Sequence, residues 1–147
     1  MYSVRDYLGD DHTRCDDLFA LAEKQVADGE WDKARASHDQ FIQAMERHFT
    51  MEEVVLFPAF EQATGSEMGP TAVMRHEHVQ MRQLFDAMEQ SLQHKGVDDY
   101  LGNSETLLIL MRQHNAKEEQ ILYPMIDRML GAQLPSLLQQ MESAGGQ

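Results

Sequence analysis

Histidine and glutamate recur at one spacing in two places, His48-x-x-x-Glu52 and His114-x-x-x-Glu118. In a helix, a separation of four puts both side chains on one face, about one turn apart. Two further histidines, His12 and His78, each lie in the middle of an apolar stripe with helical spacing. A buried carboxylate is costly unless a cation or a proton accompanies it. Two glutamates and four imidazoles converging on an apolar interior therefore point to a metal centre made of His12, His48, Glu52, His78, His114 and Glu118. Six ligands exceed the four that a structural zinc takes, and they suit two metals bridged by carboxylates. Imidazole-rich sets fit iron, zinc, copper or nickel. On a six-coordinate pair, this set leaves room for an oxo or hydroxo bridge and for an exogenous small ligand.

An internal repeat separates these histidines from the rest. With an offset of 66, His12 maps to His78, His48 to His114, Glu52-Glu53 to Glu118-Glu119, and Leu56-Phe57-Pro58 to Leu122-Tyr123-Pro124. Leu18-Phe19, Met45 and Asp32 also find partners, in Leu84-Phe85, Met111 and Asp98. Such self-similarity is the signature of one structural unit used twice. His38, His76 and His94 do not obey it. At 100° per residue, His76 and His94 each fall about 160° around the helix from His78 and should face solvent, while His38 lies about 80° from His48. A lone histidine on an apolar stripe is ordinarily a packed core residue; four of them, repeat-related and paired with two glutamates, reverse that expectation. Glu53 and Glu119 fall about 140° from their histidines and read as solvated groups or outer partners of the ligands. Tyr123, about 180° from His114, is expected to point away from any metal. Cys15, which maps to Met81, reads as a small apolar packer.

The elements that must position these residues are helices. The first stripe runs Leu8, His12, Cys15, Phe19, Ala22, Val26. The second runs Phe41, Met45, His48, Glu52, Val55. The third runs Met74, His78, Met81, Phe85, Met88, Leu92. The fourth runs Leu107, Met111, His114, Glu118, Ile121, Met125, Met129. Asp28-Gly29 and Lys95-Gly96 close the first and third, and Pro70 suits the first turn of the third. Ser3, Asp32 and Asp98 or Asp99 are candidate N-caps. Leu134, Leu137, Leu138 and Met141 form a short amphipathic helix, most simply packed over the bundle end, before a Gly145-Gly146 tail. The expected architecture is all-α: an antiparallel up-down-up-down four-helix bundle with an internal pseudo-two-fold repeat over residues 1–131, then a short C-terminal helix and tail over 132–147.

Composition narrows the partners. Lys and Arg number 12 against 25 Asp and Glu across 147 residues, a net charge of −13. That balance argues against nucleic acid and against an anionic membrane surface. The longest strictly apolar run, Leu107 to Met111, is five residues, too short for a span. The N-terminal stretch Met1 to Asp6 lacks the apolar core of a signal peptide, and Cys15 is the only cysteine. A soluble protein of a reducing cytoplasm is expected.

The pattern His12, His48-Phe49-Thr50-Met51-Glu52-Glu53, Glu77-His78 and His114-x-x-x-Glu118-Glu119, with its two Pro-ended tails, resembles the hemerythrin-like, or HHE cation-binding, domain over about residues 3 to 130. The resemblance implies a four-helix bundle around a non-haem di-iron centre, with zinc or manganese as alternative metals and with Glu52 and Glu118 as the bridging carboxylates. Oxygen-carrying hemerythrins have a fifth histidine one turn before the equivalent of His78, where this chain has Met74. They also place an Asp five residues after the last His, where this chain has Glu118 at four and Glu119 at five. The four-His, two-Glu pattern is closer to the hemerythrin-like domain of bacterial iron-centre repair proteins linked to nitric oxide and oxidative stress.

Three functions follow from such a centre. The first is binding of a diatomic ligand, O2 or NO, for storage, delivery or sensing. The second is iron-centre repair or stress handling, by iron donation or NO reduction. The third is a di-iron oxidoreductase acting on peroxide or O2. Oxidising ferritin-like sites carry more carboxylates, so the histidine-rich set favours ligand binding.

Overall fold

The computed structural model describes residues 2–146; Met1 of the N-terminal stretch and Gln147 of the tail lie outside them. Among the described residues there are helices and no strands. Helix α1 (Val4–Ala27) pairs with α2 (Trp31–Thr50), and α4 (Pro70–Gln93) pairs with α5 (Val97–Lys117); α1 and α5 then close against each other. After α2 the helix continues through a π-helical turn (Met51–Leu56) into α3 (Phe57–Thr64). After α5 it continues through a second π-turn (Glu118–Leu122) into α6 (Tyr123–Met129). The two hairpins are the two repeats, as expected.

The caps explain where the helices begin and end. Ser3 is the N-cap of α1, its Oγ accepting from Asp6 N–H at 3.0 Å. Asp127 of α6 accepts from the first-turn N–H groups of Val4 and Arg5, at 2.9 and 3.3 Å. Asp32, Asp98 and Asp99 are not the caps of α2 and α5. Glu30 and Gly96 hold those positions, and the aspartates lie in the first turns, where their charge complements the helix dipole. Gly29 ends the first hairpin's leading helix with φ +72°, and its repeat counterpart Lys95 takes the same left-handed conformation, φ +53°.

The first and third stripes are buried throughout, and the second and fourth are buried as expected up to their glutamates and then slip. After Glu118 the buried residues are Leu122, Tyr123, Ile126 and Leu130; Ile121 and Met129 are exposed and Met125 is half-buried. After Glu52 the buried residue is Leu56, not Val55. A π-turn closes i→i+5 and holds one more residue than an α-turn, so everything beyond it rotates by about 100°. Pro58 and Pro124 follow the two π-turns by one residue each, and the widened turn removes the clash that a proline makes inside a regular helix.

Two apolar clusters result. One holds Cys15, Phe19, Phe41, Met45, Phe49, Met81, Phe85 and Met111; the other holds Leu8, Met51, Leu56, Phe57, Met74, Leu122, Tyr123 and Ile126. His12, His48, His78 and His114 lie between them in sequence and in space. Helix α7 (Leu134–Gly145) buries Leu134, Leu137 and Met141 in the second cluster, against the first π-turn and α2. Gly145 belongs to this helix rather than to a tail. Even a Cβ there would fall 2.8 Å from Met51 Cγ.

Candidate metal centre

His12 and His78 project from the middle of α1 and α4, His48 and His114 from the last turns of α2 and α5, and all four enter the layer between the clusters and are buried. Glu52 and Glu118, from the first turns of the two π-segments, are completely buried beside them. Donor atoms of Glu52, His78, His114 and Glu118 all lie within 4.8 Å of one another, and so do donors of His12, His48 and Glu118. Glu118 belongs to both groups. The six residues picked from the sequence are thus brought together in one buried place, in two half-sites that share a carboxylate.

The Nδ1 side of every ring is held by a second carboxylate. His12 Nδ1 bonds Glu119 at 2.7 Å, His48 Nδ1 bonds Asp11 at 2.8 Å, His78 Nδ1 bonds Glu53 at 2.6 Å, and His114 Nδ1 bonds Glu77 at 2.8 Å. A carboxylate accepts, so each Nδ1 carries a proton, and each ring turns its Nε2 inward, as a bare lone pair whenever the ring is neutral. This is the arrangement that fixes tautomer and orientation in metal-ligating histidines. Cations stand behind the carboxylates. Arg14 and Arg47 face Asp11, Arg82 forks onto Glu53 and Glu46, Lys117 contacts Glu77, and Arg5 donates to the Glu119 carbonyl. Arg82 also lies 4.9 Å above the Phe49 ring, which stacks 3.9 Å from His78.

Inside, the polar atoms oppose one another. His78 Nε2 lies 3.1 Å from Glu52 Oε1, and His114 Nε2 lies 3.3 Å from Glu118 Oε1. Neither contact has the geometry of a hydrogen bond. Glu52 Oε1, His78 Nε2, His114 Nε2 and Glu118 Oε2 are all buried without a hydrogen-bond partner. Lone pairs facing lone pairs in an apolar interior require a positive charge between them. The electrostatics point the same way. Burial lowers the basicity of the His48 and His114 rings, yet the neighbouring glutamates outweigh it. His48 is driven well above the ordinary histidine range and His114 to about 9. Glu52 moves the other way: burial would raise it, and His48, Glu118 and His78 hold it well below the usual carboxylate range. The centre demands cations, and the donors present, imidazole nitrogen and carboxylate oxygen, are those that bind divalent transition metals.

A family model described as the hemerythrin HHE cation binding domain matches residues 3–126. The chain belongs to the hemerythrin HHE cation-binding domain family. Comparison with curated proteins and with solved structures finds no match. The hemerythrin-type bundle accounts for the shared layer of histidines, and the buried His/Glu clusters are of the kind that hold a metal ion.

The remaining expectations sort as follows. His76 and His94 are exposed. His38 is buried but outside the centre, sharing a 2.9 Å hydrogen bond with the Tyr100 hydroxyl, and burial lowers its pKa. A third cluster, His38, Asp39 and Glu89, has its carboxylates already engaged by Arg35. Cys15 packs in the first apolar cluster, where burial pushes its thiol up to about 11.

Tyr123 overturns its expectation. It is fully buried, and its hydroxyl lies in the centre, 2.6 Å from Glu52 Oε2 and 2.9 Å from Glu118 Oε1. The π-turn before it supplies the rotation that a uniform helix lacks. Proline inside an otherwise helical pattern, at Pro58 and Pro124, is the sequence signal that marks this turn. Asp11 and Glu77 are the other residues missed. They too are related by the offset of 66, and each precedes a ligand-type histidine by one position.

Proposed function

We propose that this hemerythrin-family chain binds a pair of iron ions through His12, His48, Glu52, His78, His114 and Glu118, with Glu52 and Glu118 as the bridging carboxylates. The pair takes up a small diatomic ligand, O2 or NO, for storage, delivery or sensing. The observation that carries this reading is the ring of inward lone pairs, four of them without any hydrogen-bond partner. Iron in such a site supplies reversible ligation of diatomic molecules.

The chain's own residues do the rest. Asp11, Glu53, Glu77 and Glu119 hold the Nδ1 protons, which orients the rings and makes each Nε2 a better donor. The apolar clusters above and below keep bulk water out, so the electrostatic preferences of the site are felt at low dielectric. With only two carboxylates among six donors, the set stabilises the reduced ions over high-valent ones, which favours ligand binding over hard oxidation. Complete burial of Glu52 and Glu118 favours retention of the metal over its hand-over to an acceptor.

Metal analysis of anaerobically purified protein, followed by the visible spectrum as air or NO is admitted, tests the reading. Two irons per chain with a charge-transfer band that appears with the gas and reverses on its removal are expected. Irons that transfer to an apo-acceptor would replace ligand binding by iron-centre repair, and rapid multiple-turnover loss of peroxide would replace it by oxidoreductase chemistry.

A further inference from the structure

The six donor residues and the four carboxylates behind their histidines obey the repeat, but one pair that reaches the centre does not. Tyr123 maps to Phe57. The backbone treats the two alike: the Tyr123 ring stacks 5.8 Å from the His12 ring at 22°, and the Phe57 ring stacks 5.8 Å from the His78 ring at 25°. Only one of them brings an oxygen into the centre.

That oxygen is surrounded by donors. Tyr123 Oη lies 2.6 Å from Glu52 Oε2, 2.9 Å from Glu118 Oε1, 3.4 Å from His12 Nε2 and 3.5 Å from His48 Nε2. The two carboxylate oxygens accept; in the neutral rings, with the proton on Nδ1, the two nitrogens accept as well, and His12 Nε2 also lies 3.0 Å from Glu118 Oε1. One hydroxyl proton cannot serve four acceptors. The spacing has a second meaning. Atoms that ligate one metal at about 2.0–2.2 Å from neighbouring positions lie roughly 3 Å apart. Tyr123 Oη keeps about that separation from four candidate ligand atoms at once. In the other half, the Phe57 ring occupies the matching place and donates nothing.

We propose that Tyr123 Oη is itself a metal ligand, in the His12–His48 half-site, and that the two metal positions are chemically unequal. The His12–His48 position gains a fifth protein donor, a phenolic oxygen, beside His12, His48, Glu52 and Glu118. The His78–His114 position, faced by Phe57, keeps the coordination place left for an exogenous ligand. This rests on the di-iron reading above.

The test compares wild type, Tyr123→Phe and Phe57→Tyr after anaerobic loading with Fe(II) and air oxidation. Metal content, circular dichroism and the visible and resonance Raman spectra are recorded. Wild type is expected to show two metals per chain and a phenolate-to-iron band with tyrosine ring modes. Tyr123→Phe is expected to keep its helicity, to lose that band entirely, and to bind one of its two metals about tenfold or more weakly. Phe57→Tyr is expected to gain a second such band. A Tyr123→Phe protein that carries two metals with an unchanged spectrum and unchanged affinities would overturn the proposal while leaving the di-iron reading intact. It would reduce Tyr123 to a hydrogen-bond donor for Glu52. A wild type that takes up no metal would overturn both.

Discussion

Asp11→Asn removes a charge from behind His48 while keeping the side chain's size. Asp11 Oδ2 accepts from His48 Nδ1 at 2.8 Å, and Asp11 is buried. A hydrogen bond to a charged partner contributes about 1.5–3 kcal/mol, and one between neutral groups about 1 kcal/mol. The difference alone is about 0.5–2 kcal/mol, roughly 2- to 30-fold in an equilibrium constant. Two further effects act in the same direction. Arg14 Nη2 and Arg47 Nη1, 2.9 and 3.5 Å from Asp11 Oδ1, lose their counter-charge and stand uncompensated near the cation site. The asparagine amide can also present its NH2 to Nδ1, which would favour the tautomer with the proton on the metal side. Loss of the outer partner of a ligating histidine ordinarily weakens metal binding by about 10- to 100-fold, and the arginines place Asp11→Asn in the upper part of that range. The assay is a stepwise competition titration of the metal-free chain with Zn(II), Co(II) and anaerobic Fe(II) against a chromophoric chelator. One of the two metals, the one on the His12–His48 side, should weaken. Glu119→Gln is the internal comparison: the Glu119 side chain is 37% exposed, so water can replace part of its role and the loss should be smaller. A folded Asp11→Asn protein with both affinities within about twofold of wild type would refute the link between the carboxylate relay and metal binding.

Other outcomes follow from the same geometry. His78→Ala should lose one or both metals while His76→Ala keeps wild-type metal content by elemental analysis; equal loss in both would sink the division of the histidines by the repeat. In the metal-free chain His114 is raised from 6.5 to about 9, so below 6.5 its proton contributes fully to stability, and that contribution is lost as pH rises through about 9. Metal must displace this proton. Apparent metal affinity should therefore climb from pH 6 to about 9, and the gap in Tm between loaded and metal-free protein should widen over the same interval, as followed by calorimetry. An affinity flat across that window would contradict it. Lys95→Gly relieves a left-handed backbone at φ +53° and should stabilise the chain by about 0.5–1 kcal/mol, raising Tm by about 2–4 °C. A lower Tm would mean that Lys95 makes a contact outweighing the strain.

The sequence by itself determined the helices, the repeat and which six histidine and glutamate side chains the fold gathers in one buried place. Stripes at three-or-four spacing can be buried only as helices, and an offset of 66 that matches four histidines, two glutamates and the Pro-ended tails can be satisfied only by two like hairpins. His12, His48, Glu52, His78, His114 and Glu118 were legible for that reason, as were the outward faces of His76 and His94. Tertiary structure decided whatever depends on a local change of period or on contacts between hairpins. A uniform 3.6-residue helix carries Tyr123 to the far side from His114; the π-turn adds one residue and turns its hydroxyl into the centre. The same insertion moves burial from Ile121, Met125 and Met129 to Leu122, Ile126 and Leu130. Nothing in the sequence assigns Asp11 or Glu77 to a particular histidine. They became outer partners only when α2 brought His48 beside Asp11, and α5 brought His114 beside Glu77, because each carboxylate serves a ring on the adjacent helix rather than on its own. A one-helix angular count carries no information about which neighbour a side chain meets, and pairing across helices is set by packing alone.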